Sequence, residues 1–352
     1  MQPIMEKVKK IYVLIGCAAA VLIGLVLWLV AVNYFRLYVS NWVSQDNQEH
    51  GYYIYPDMSV DSVVTLMQQD YRVQSPWLMR RHIRRADFTQ PVPGYYKFPA
   101  RFGDQSLISR MMRGRETPIN LSFTNQIRTP QQLAARLDKV LMLDSASVMQ
   151  RFDSVDYMAQ YGLNPQTAVC LFIPNTYEVY WSVSVDDLFA RMYKEYNRFW
   201  TEERRAKAEK KGLTLAEVAT LASIVESETH NTIEHPIIAS LYLNRLRKGM
   251  ALQACPTVIF ANGDFSVQRV GGDLLQKDSP YNTYKYAGLP PGPIRCANGK
   301  AIDAVLDAPN TDYLYMCANP DWSGTHVFSS TYAQHQRVAA AYRRELNKRH
   351  IR

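Results

Sequence analysis

The segment Leu221–His230, LASIVESETH, has an apolar helical pattern that runs directly into two glutamates. Upstream, Thr214 suits an N-cap and Glu217 follows three residues later as a capping-box partner, so the pattern predicts a helix that begins at Leu215. At 100° per residue one apolar stripe results, formed by Leu215, Val218, Ala222 and Val225. The hydroxyl residues lie opposite, at Thr220, Ser223 and Ser227.

The two glutamates at the end of this helix are predicted to differ in environment. Glu226 falls on the apolar side beside Ala219 and Ala222, below a predicted cavity, whereas Glu228 projects from the other flank of the stripe. Desolvation in such a cavity favours the protonated carboxyl, which is the form that a general acid needs. In the alternative interpretation, Glu226 forms a salt bridge with a basic residue such as Arg245 and only stabilises the fold.

The sequence predicts neither a metal site nor a cofactor. Glu226, Glu228, His230 and His235 could supply ligands, but the HExxH pattern is absent and both histidines are predicted to lie in a polar loop. The five cysteines show no CxxC or Cys/His spacing typical of zinc.

The N-terminus carries a predicted membrane anchor. Residues 11–32, IYVLIGCAAAVLIGLVLWLVAV, contain no charge and are long enough to cross a bilayer as a helix. A cleaved signal peptide is the alternative, but its apolar region is normally about 7–15 residues long. We therefore predict an uncleaved helix over residues 11–33 after a cytoplasmic tail of residues 1–10. Because Lys7, Lys9 and Lys10 precede the span, the rest of the chain is predicted to be periplasmic.

The net charge of +8 is compatible with binding to nucleic acid, to a membrane surface or to an anionic extracytoplasmic polymer. The predicted topology argues against nucleic acid. The basic residues are also scattered in short groups, such as Arg80, Arg81, Arg84 and Arg85, and mixed with acids, which is typical of solvated helix faces.

The 352 residues leave room for two or three ordered domains, and we predict an α+β protein. Residues 34–50 indicate a polar and aromatic stalk. Residues 51–125 follow a strand–helix–helix–strand order that resembles the LysM module, which binds cell-wall glycans; a generic α+β spacer is the alternative. Residues 126–352 are predicted to form a mixed α/β catalytic domain.

Four motifs follow the anchor in order: LASIVESETH, LYLNRLRKGMALQACPTVIFANG, DSPYNTYKYAGLPPGPI and GTHVF. Together they resemble the endolytic murein transglycosylase family, also called the YceG-like or MltG-type family, over residues 165–335. The resemblance carries the catalytic glutamate over to Glu226 and gives Glu228 an auxiliary role. The chain departs from the pattern at Ser227, where a basic residue is common, and at Cys255, where aspartate is usual.

The same resemblance, with side-chain chemistry suited to sugars, gives ten candidate substrate-binding residues: Asn244, Arg245, Gln253, Tyr281, Asn282, Thr283, Tyr284, Leu289, Pro290 and His326. Structural alternatives remain open for several of them. The Pro-rich loop would be a plain turn, Arg245 a structural ion pair, and His326 a satisfied structural histidine.

The family resemblance implies a lytic transglycosylase in the bacterial inner membrane that cleaves nascent peptidoglycan between N-acetylmuramic acid and N-acetylglucosamine, leaving 1,6-anhydro ends and ending strand growth. The implied partners are glycan strands and the membrane-bound synthase machinery. One glutamate suffices because no water attacks, whereas hydrolysing glycosidases usually need two carboxylates. The alternatives are a muramidase-type hydrolase that uses Asp278 as its second carboxylate, and a non-enzymatic wall-binding scaffold.

The resemblance also brings the loops of Cys255 and Cys296 close together, and an oxidising compartment permits disulfides. We therefore predict a Cys255–Cys296 disulfide. The alternative is two free thiols that merely pack.

Overall fold

The computed structural model describes residues 2–267 and 270–348. It divides into two compact units. The first comprises Met1–Ile119 with Val179–Ser182, and the second comprises Asn120–Glu178 with Val183–Arg352. The break at Ile119 lies six residues before the boundary predicted at residue 125.

The chain begins with one long helix, α1 (Gln2–Ser40). Its segment Leu14–Ser40 contains an 18-residue window with a mean hydropathy of 2.7 and is long and apolar enough to cross a membrane. The helix continues seven residues beyond the predicted end at residue 33. The predicted stalk over residues 34–50 is wrong, because Trp42 is completely buried in the core of the first unit.

The first unit is a small α+β assembly, as predicted. Its strands are β1 (Trp42–Ser44), β2 (His50–Ile54), β3 (Tyr71–Val73), β4 (Gly94–Phe98) and β5 (Arg101–Phe102). Its further helices are α2 (Val60–Met67), α3 (Pro76–Arg85) and α4 (Asp104–Met112). β1 pairs antiparallel with both β3 and β5, while β2 and β4 form a second antiparallel pair. The Ser59 side chain caps α2 by accepting from the backbone N–H of Ser62.

The second unit is mainly helical. Its strands are β6 (Ile119–Ser122, which begins at the unit boundary), β7 (Thr176–Val179), β8 (Tyr315–Ala318) and β9 (His326–Ser329). Its helices are α5 (Pro130–Val140), α6 (Ser145–Asp153), α7 (Val155–Ala159), α8 (Val185–Phe199), α9 (Glu202–Lys210), α10 (Leu215–Glu228), α11 (His235–Arg247), α12 (Cys255–Asn262), α13 (Gly299–Leu306) and α14 (Tyr332–Lys348). β6 pairs with β7, and β8 pairs antiparallel with β9.

Helix α10 is the centre of the second unit and contains the segment LASIVESETH up to Glu228. The predicted capping box is confirmed, because Thr214 and Glu217 bond each other's backbone N–H groups. Every residue from Val218 to Glu226 is buried, so α10 is enclosed on all sides rather than amphipathic. Its hydroxyl face is satisfied internally: Ser223 donates to the carbonyl of Thr220 and accepts from the backbone N–H of Ile294.

Candidate active site

A cavity of about 320 Å³ opens at the C-terminal end of α10. Its walls come from α10, α11, the loop before α12, the start of α12, the loop that carries Tyr284, β8, β9 and α14. The lining residues are Glu228, Leu241, Tyr242, Arg245, Leu252, Gln253, Cys255, Tyr284, Met316, Cys317, Ala318, His326 and His335. One carboxylic acid, several polar donors and apolar walls are the usual composition of a small-ligand site.

Glu228 is the carboxylic acid of this cavity. It is partly exposed, and the hydroxyl of Tyr242 donates to its Oε1 at 2.6 Å. Burial raises the pKa of Glu228 above its usual value, while the Tyr242 hydrogen bond and the charges of His326 and Arg245 act in the opposite direction. A carboxyl group with a raised pKa, in contact with a cavity, has the properties of a general acid.

Glu226, the predicted catalytic residue, does not line this cavity. It is only 5% exposed, and Asn125 Nδ2 donates to its Oε1 at 2.7 Å. Asn298 donates to it twice, from its backbone N–H at 3.2 Å and from its side-chain Nδ2. The small neighbours of Glu226 on α10 leave room for these two asparagines, whose N–H groups occupy both carboxylate oxygens. A catalytic role for Glu226 stays a prediction.

Arg245 shapes the wall of the cavity through backbone carbonyls. Its Nε donates to Leu314 O at 2.7 Å and its Nη1 to Leu252 O at 2.7 Å. Nη1 also lies 3.4 Å from Gln253 Oε1, and Gln253 adopts a left-handed φ of 54°, which costs energy for a residue with a side chain. Arg245 is buried, and the alternative salt bridge with Glu226 is not among the ion pairs of the described residues.

His326 is held by a buried acid. Glu234, at the N-terminal end of α11, accepts from the backbone N–H of His326 at 2.7 Å. His326 Nδ1 lies 2.9 Å from the other oxygen of the same carboxylate. This pairing places the ring proton on Nδ1, so Nε2 is the ring atom left to interact with a ligand.

Cys255 and Tyr284 form another contact at the cavity wall, with Cys255 Sγ 3.2 Å from Tyr284 Oη. Burial raises the pKa of both groups. The predicted Cys255–Cys296 disulfide is absent from the structure, since both residues are free thiols. Cys296 is buried elsewhere, with its Sγ 3.9 Å from Val169 O, because the loop after the Pro-rich turn packs against the core and not against the cavity.

Four of the ten candidate substrate-binding residues line the cavity, namely Arg245, Gln253, Tyr284 and His326. The other six lie outside its lining and have contacts of their own. Asn244 donates to the carbonyls of Thr311 and Tyr313, and Asn282 to those of Leu275 and Lys277.

The remaining four of those six residues also pack within the fold. Thr283 is fully enclosed and bonds the hydroxyl of Thr257, while the ring of Tyr281 packs on Phe260 with a centroid distance of 4.7 Å. Leu289 is half-buried and Pro290 is buried in the Pro-rich loop, where a Cβ at Gly292 would overlap the Gln166 carbonyl. A tightly packed loop of this kind fits the structural alternative given above for the Pro-rich segment.

Three of the four residues considered as metal ligands have separate partners in the structure. Glu226 binds the two asparagines, Glu228 binds Tyr242, and His235 is a buried residue of α11 whose Nε2 lies 3.0 Å from Thr229 O. His235 therefore lies in a helix, not in the predicted loop. Across residues 2–267 and 270–348, no three His, Cys, Asp or Glu residues come together as a metal site.

Sequence reasoning did not identify Tyr242 or Glu234. A signal for Tyr242 was available, because Tyr242 and Arg245 are three residues apart on α11 and so share a face. Glu234 gives no such signal, since its partner His326 is 92 residues away in the chain. Asn125 and Asn298 likewise meet Glu226 only through the tertiary fold.

Comparisons with known proteins bear on this site. The model of the YceG-like family matches residues 52–341. Two proteins named endolytic murein transglycosylase are similar to part of the chain. The protein of Bacillus subtilis is 36% identical over 166 residues, covering 47% of this chain and 45% of the relative. That of Streptococcus pneumoniae strain D39 is 30% identical over 177 residues, covering 48% and 31%.

The chain thus spans about half or less of the length of the curated relatives that it matches. Among solved structures, a YceG-like protein from Listeria monocytogenes superposes with a TM-score of 0.55 at 26% identity, over 83% of this chain and 99% of that one. Because the family model covers most of the chain, including every residue of the cavity, the protein belongs to the YceG-like family.

Proposed function

We propose that the protein is a membrane-anchored endolytic lytic transglycosylase that cleaves peptidoglycan glycan strands. The family membership and the names of the relatives support this activity. The observation that carries the chemistry is Glu228, a carboxylic acid with a raised pKa and the one acid among the residues that line the cavity.

In the proposed reaction, Glu228 replaces Glu226 as the catalytic residue. Protonated Glu228 donates its proton to the glycosidic oxygen between N-acetylmuramic acid and N-acetylglucosamine as the bond from C1 to that oxygen breaks. The resulting carboxylate then accepts the proton of the muramic acid C6 hydroxyl while that oxygen bonds to C1. The product is a 1,6-anhydromuramyl end, no water is consumed, and Glu228 regains its proton.

The cavity favours this route over hydrolysis. Retaining and inverting glycosidases use a second carboxyl group about 5–9.5 Å from the first. Asp278, the alternative second carboxylate, does not line the cavity. Its exposed side chain is bound by Tyr286 and Lys285, which lower the pKa of Asp278.

Three neighbours of Glu228 have separate proposed roles. Tyr242 fixes one carboxylate oxygen through its hydrogen bond, so the other carries the proton. His326, oriented by Glu234, contacts a polar group of the sugar through Nε2. Arg245 and Gln253 form a rigid wall that positions the strand.

We also propose that α1 anchors the enzyme in the inner membrane with its N-terminus in the cytoplasm and its active site in the periplasm. The apolar span Leu14–Ser40 supports an anchor, and the lysines that precede the span support the orientation. Tethering raises the local concentration of the enzyme at the membrane, where nascent strands and their synthases would be its substrate and partners.

Glycan binding by a LysM-like module within residues 51–125 remains part of the proposal. The first unit has an aromatic patch on which a sugar could stack: Tyr53 and Tyr55 are 44% and 50% exposed, and both rings lie 5.0 Å from that of Trp181. A purely non-enzymatic scaffold is not favoured, because the family match also includes the cavity with its acid.

Digestion of purified glycan strands, with mass spectrometry of the new ends, tests the proposal. Anhydro ends are one water lighter than the reducing ends that a hydrolase produces. Wild-type protein should yield anhydro ends. Reducing ends would support a hydrolase, and intact strands would support a scaffold; either result contradicts the proposed reaction.

A further inference from the structure

Helix α3 of the first unit has a face that the proposed reaction does not use. Leu78, Met79 and His82 are buried on one side. The other side is exposed over an arc of about 140° at 100° per residue. Five exposed residues form this face, which we call the α3 basic face: Trp77, Arg80, Arg81, Arg84 and Arg85.

The α3 basic face has unusual chemistry for a solvated surface. Trp77 is 64% exposed, with the Arg81 guanidinium 5.4 Å from the centre of its ring. None of its four arginines forms a salt bridge with an acid in the described part of the chain. Uncompensated positive charge beside an exposed indole is typical of protein surfaces at the headgroup level of a membrane.

Backbone hydrogen bonds join the start of α3 to the end of α1. Gln74 donates from its backbone N–H to Asn41 O at 2.8 Å and from its side chain to Ser40 O at 2.9 Å. The N–H of Ser75 donates to Asn41 Oδ1 at 2.7 Å. Further along α3, the His82 ring lies 5.9 Å from the ring of Tyr38. Helix α3 therefore runs beside the last turn of α1.

A buried carboxylate fixes this junction. Asp104, the first residue of α4, is 1% exposed and accepts from Asn41 Nδ2 at 3.0 Å and from Trp42 Nε1 at 2.9 Å. His82 Nδ1 lies 2.8 Å from its second oxygen. One acid thus connects the end of α1 with β1 and α3, so the position of α3 follows that of α1.

This junction places α3 near the headgroup layer once α1 crosses a bilayer. Tyr38 is six residues beyond Val32, or roughly 9 Å along a helix. The interfacial layer extends about 5–8 Å beyond the hydrocarbon on each side, and long arginine side chains reach several ångströms further. The guanidinium groups of the α3 basic face can therefore reach lipid phosphates.

We propose that the α3 basic face binds anionic phospholipid headgroups of the bilayer that α1 crosses; this inference rests on the membrane anchoring in the proposed function. Arginine pairs with phosphate oxygens through two parallel N–H groups, and Trp77 inserts at the interface. A wall polymer is the less favoured occupant, because α3 is attached at the membrane end of the unit and not away from it.

The test uses the full chain in nanodiscs of phosphatidylcholine and phosphatidylglycerol. In one preparation the phosphatidylcholine carries brominated acyl chains, which quench tryptophan fluorescence, and in the other the phosphatidylglycerol carries them. The fluorescence of Trp77 is the difference between the signals of the wild-type chain and W77F. The fluorescence of Trp28, which lies within the span, is the difference between the wild-type chain and W28F. One arginine near an anionic surface contributes about 1 kcal/mol, which corresponds to about a fivefold preference, so with four arginines we expect Trp77 to prefer the anionic lipid at least fivefold. High salt should reduce this preference.

The R80Q/R81Q/R84Q/R85Q variant should lose the preference, and the two double variants R80Q/R81Q and R84Q/R85Q should each lose part of it. All four side chains are exposed, so folding should be unaffected. The matched control is R113Q/R115Q, which removes two exposed arginines of the same unit outside α3. This control should keep the preference.

The inference is overturned if Trp77 is quenched equally by both lipids, if neither quenches it while Trp28 is quenched, or if soluble glycan strands shield it instead. If Trp28 also escapes quenching, the anchoring itself is wrong and the inference fails with it. Cleavage of glycan strands by the same nanodiscs reports separately on the proposed activity.

Discussion

Glu228→Gln keeps the size of the side chain and its hydrogen bond from Tyr242 but removes the titratable proton. Loss of general acid catalysis typically lowers the rate by about 10²–10⁴-fold, equivalent to about 2.7–5.5 kcal/mol in the activation free energy. The loss should lie at the upper end or beyond, because the same carboxyl also acts as the base in the second half of the reaction.

Glu226→Gln is the matched control, and we expect it to lower stability rather than activity. The glutamine carbonyl can keep the two side-chain donors now bound to Oε1, but its amide would face the N–H of Asn298, which then loses its acceptor. An unsatisfied buried donor costs about 1–3 kcal/mol. For a domain of this size that lowers the melting temperature by roughly 2–12 °C, with activity per folded molecule largely retained.

The assay measures release of anhydro ends from glycan strands, normalised to folded protein by circular dichroism and a thermal melt. The reasoning predicts a stable but inactive E228Q and a destabilised but active E226Q. A stable and inactive E226Q beside an active E228Q would refute the assignment of Glu228 and restore the role first predicted for Glu226.

Three further predictions concern the surroundings of Glu228. Tyr242→Phe removes a hydrogen bond that lowers the pKa of Glu228, so that pKa should rise and the alkaline limb of the kcat/KM profile should move to higher pH. The control Tyr281→Phe changes a residue outside the cavity and should leave this limb in place. An unchanged alkaline limb in Tyr242→Phe would contradict the role of Tyr242. Glu234→Gln replaces the carboxylate that accepts two hydrogen bonds from His326, so KM should rise by a larger factor than kcat falls. Glu234→Asp should partly restore KM. A change in kcat alone would argue against sugar binding by His326. Maleimide should label the exposed Cys255 in the folded protein and the buried Cys296 only after unfolding. Non-reducing peptide mapping that finds the two residues in one disulfide-linked peptide would contradict the free thiols.

Local features of the fold were accessible from the sequence because local residues determine them. The capping box of α10 and the apolar span of α1 each depend on residues that are near one another in the chain. The stalk prediction failed because polar composition gives no sign that Trp42 enters a core built from strands that occur later in the chain. Four of the ten candidate substrate-binding residues line the cavity, because the order of the motifs shows which loops matter but not which side chains face one another.

The exchange of roles that we propose between Glu226 and Glu228 rests on tertiary contacts, which a helical wheel does not include. The wheel correctly separates the two side chains, but it assigns the desolvated position to the residue with small apolar neighbours. In the structure α10 is buried on every side from Val218 to Glu226, whereas Glu228 is partly exposed to the cavity, so the partners of each acid decide its environment. Glu226 accepts from three N–H donors, which occupy both of its oxygens. Glu228 meets one hydroxyl donor and is the last residue of α10, where the negative end of the helix dipole further disfavours its ionised form. Both oxygens of Glu226 are thus occupied by donors within the fold, while Glu228, whose pKa is raised by burial, lies beside an open cavity. This is the arrangement that the proposed lytic cleavage by a single carboxyl group requires.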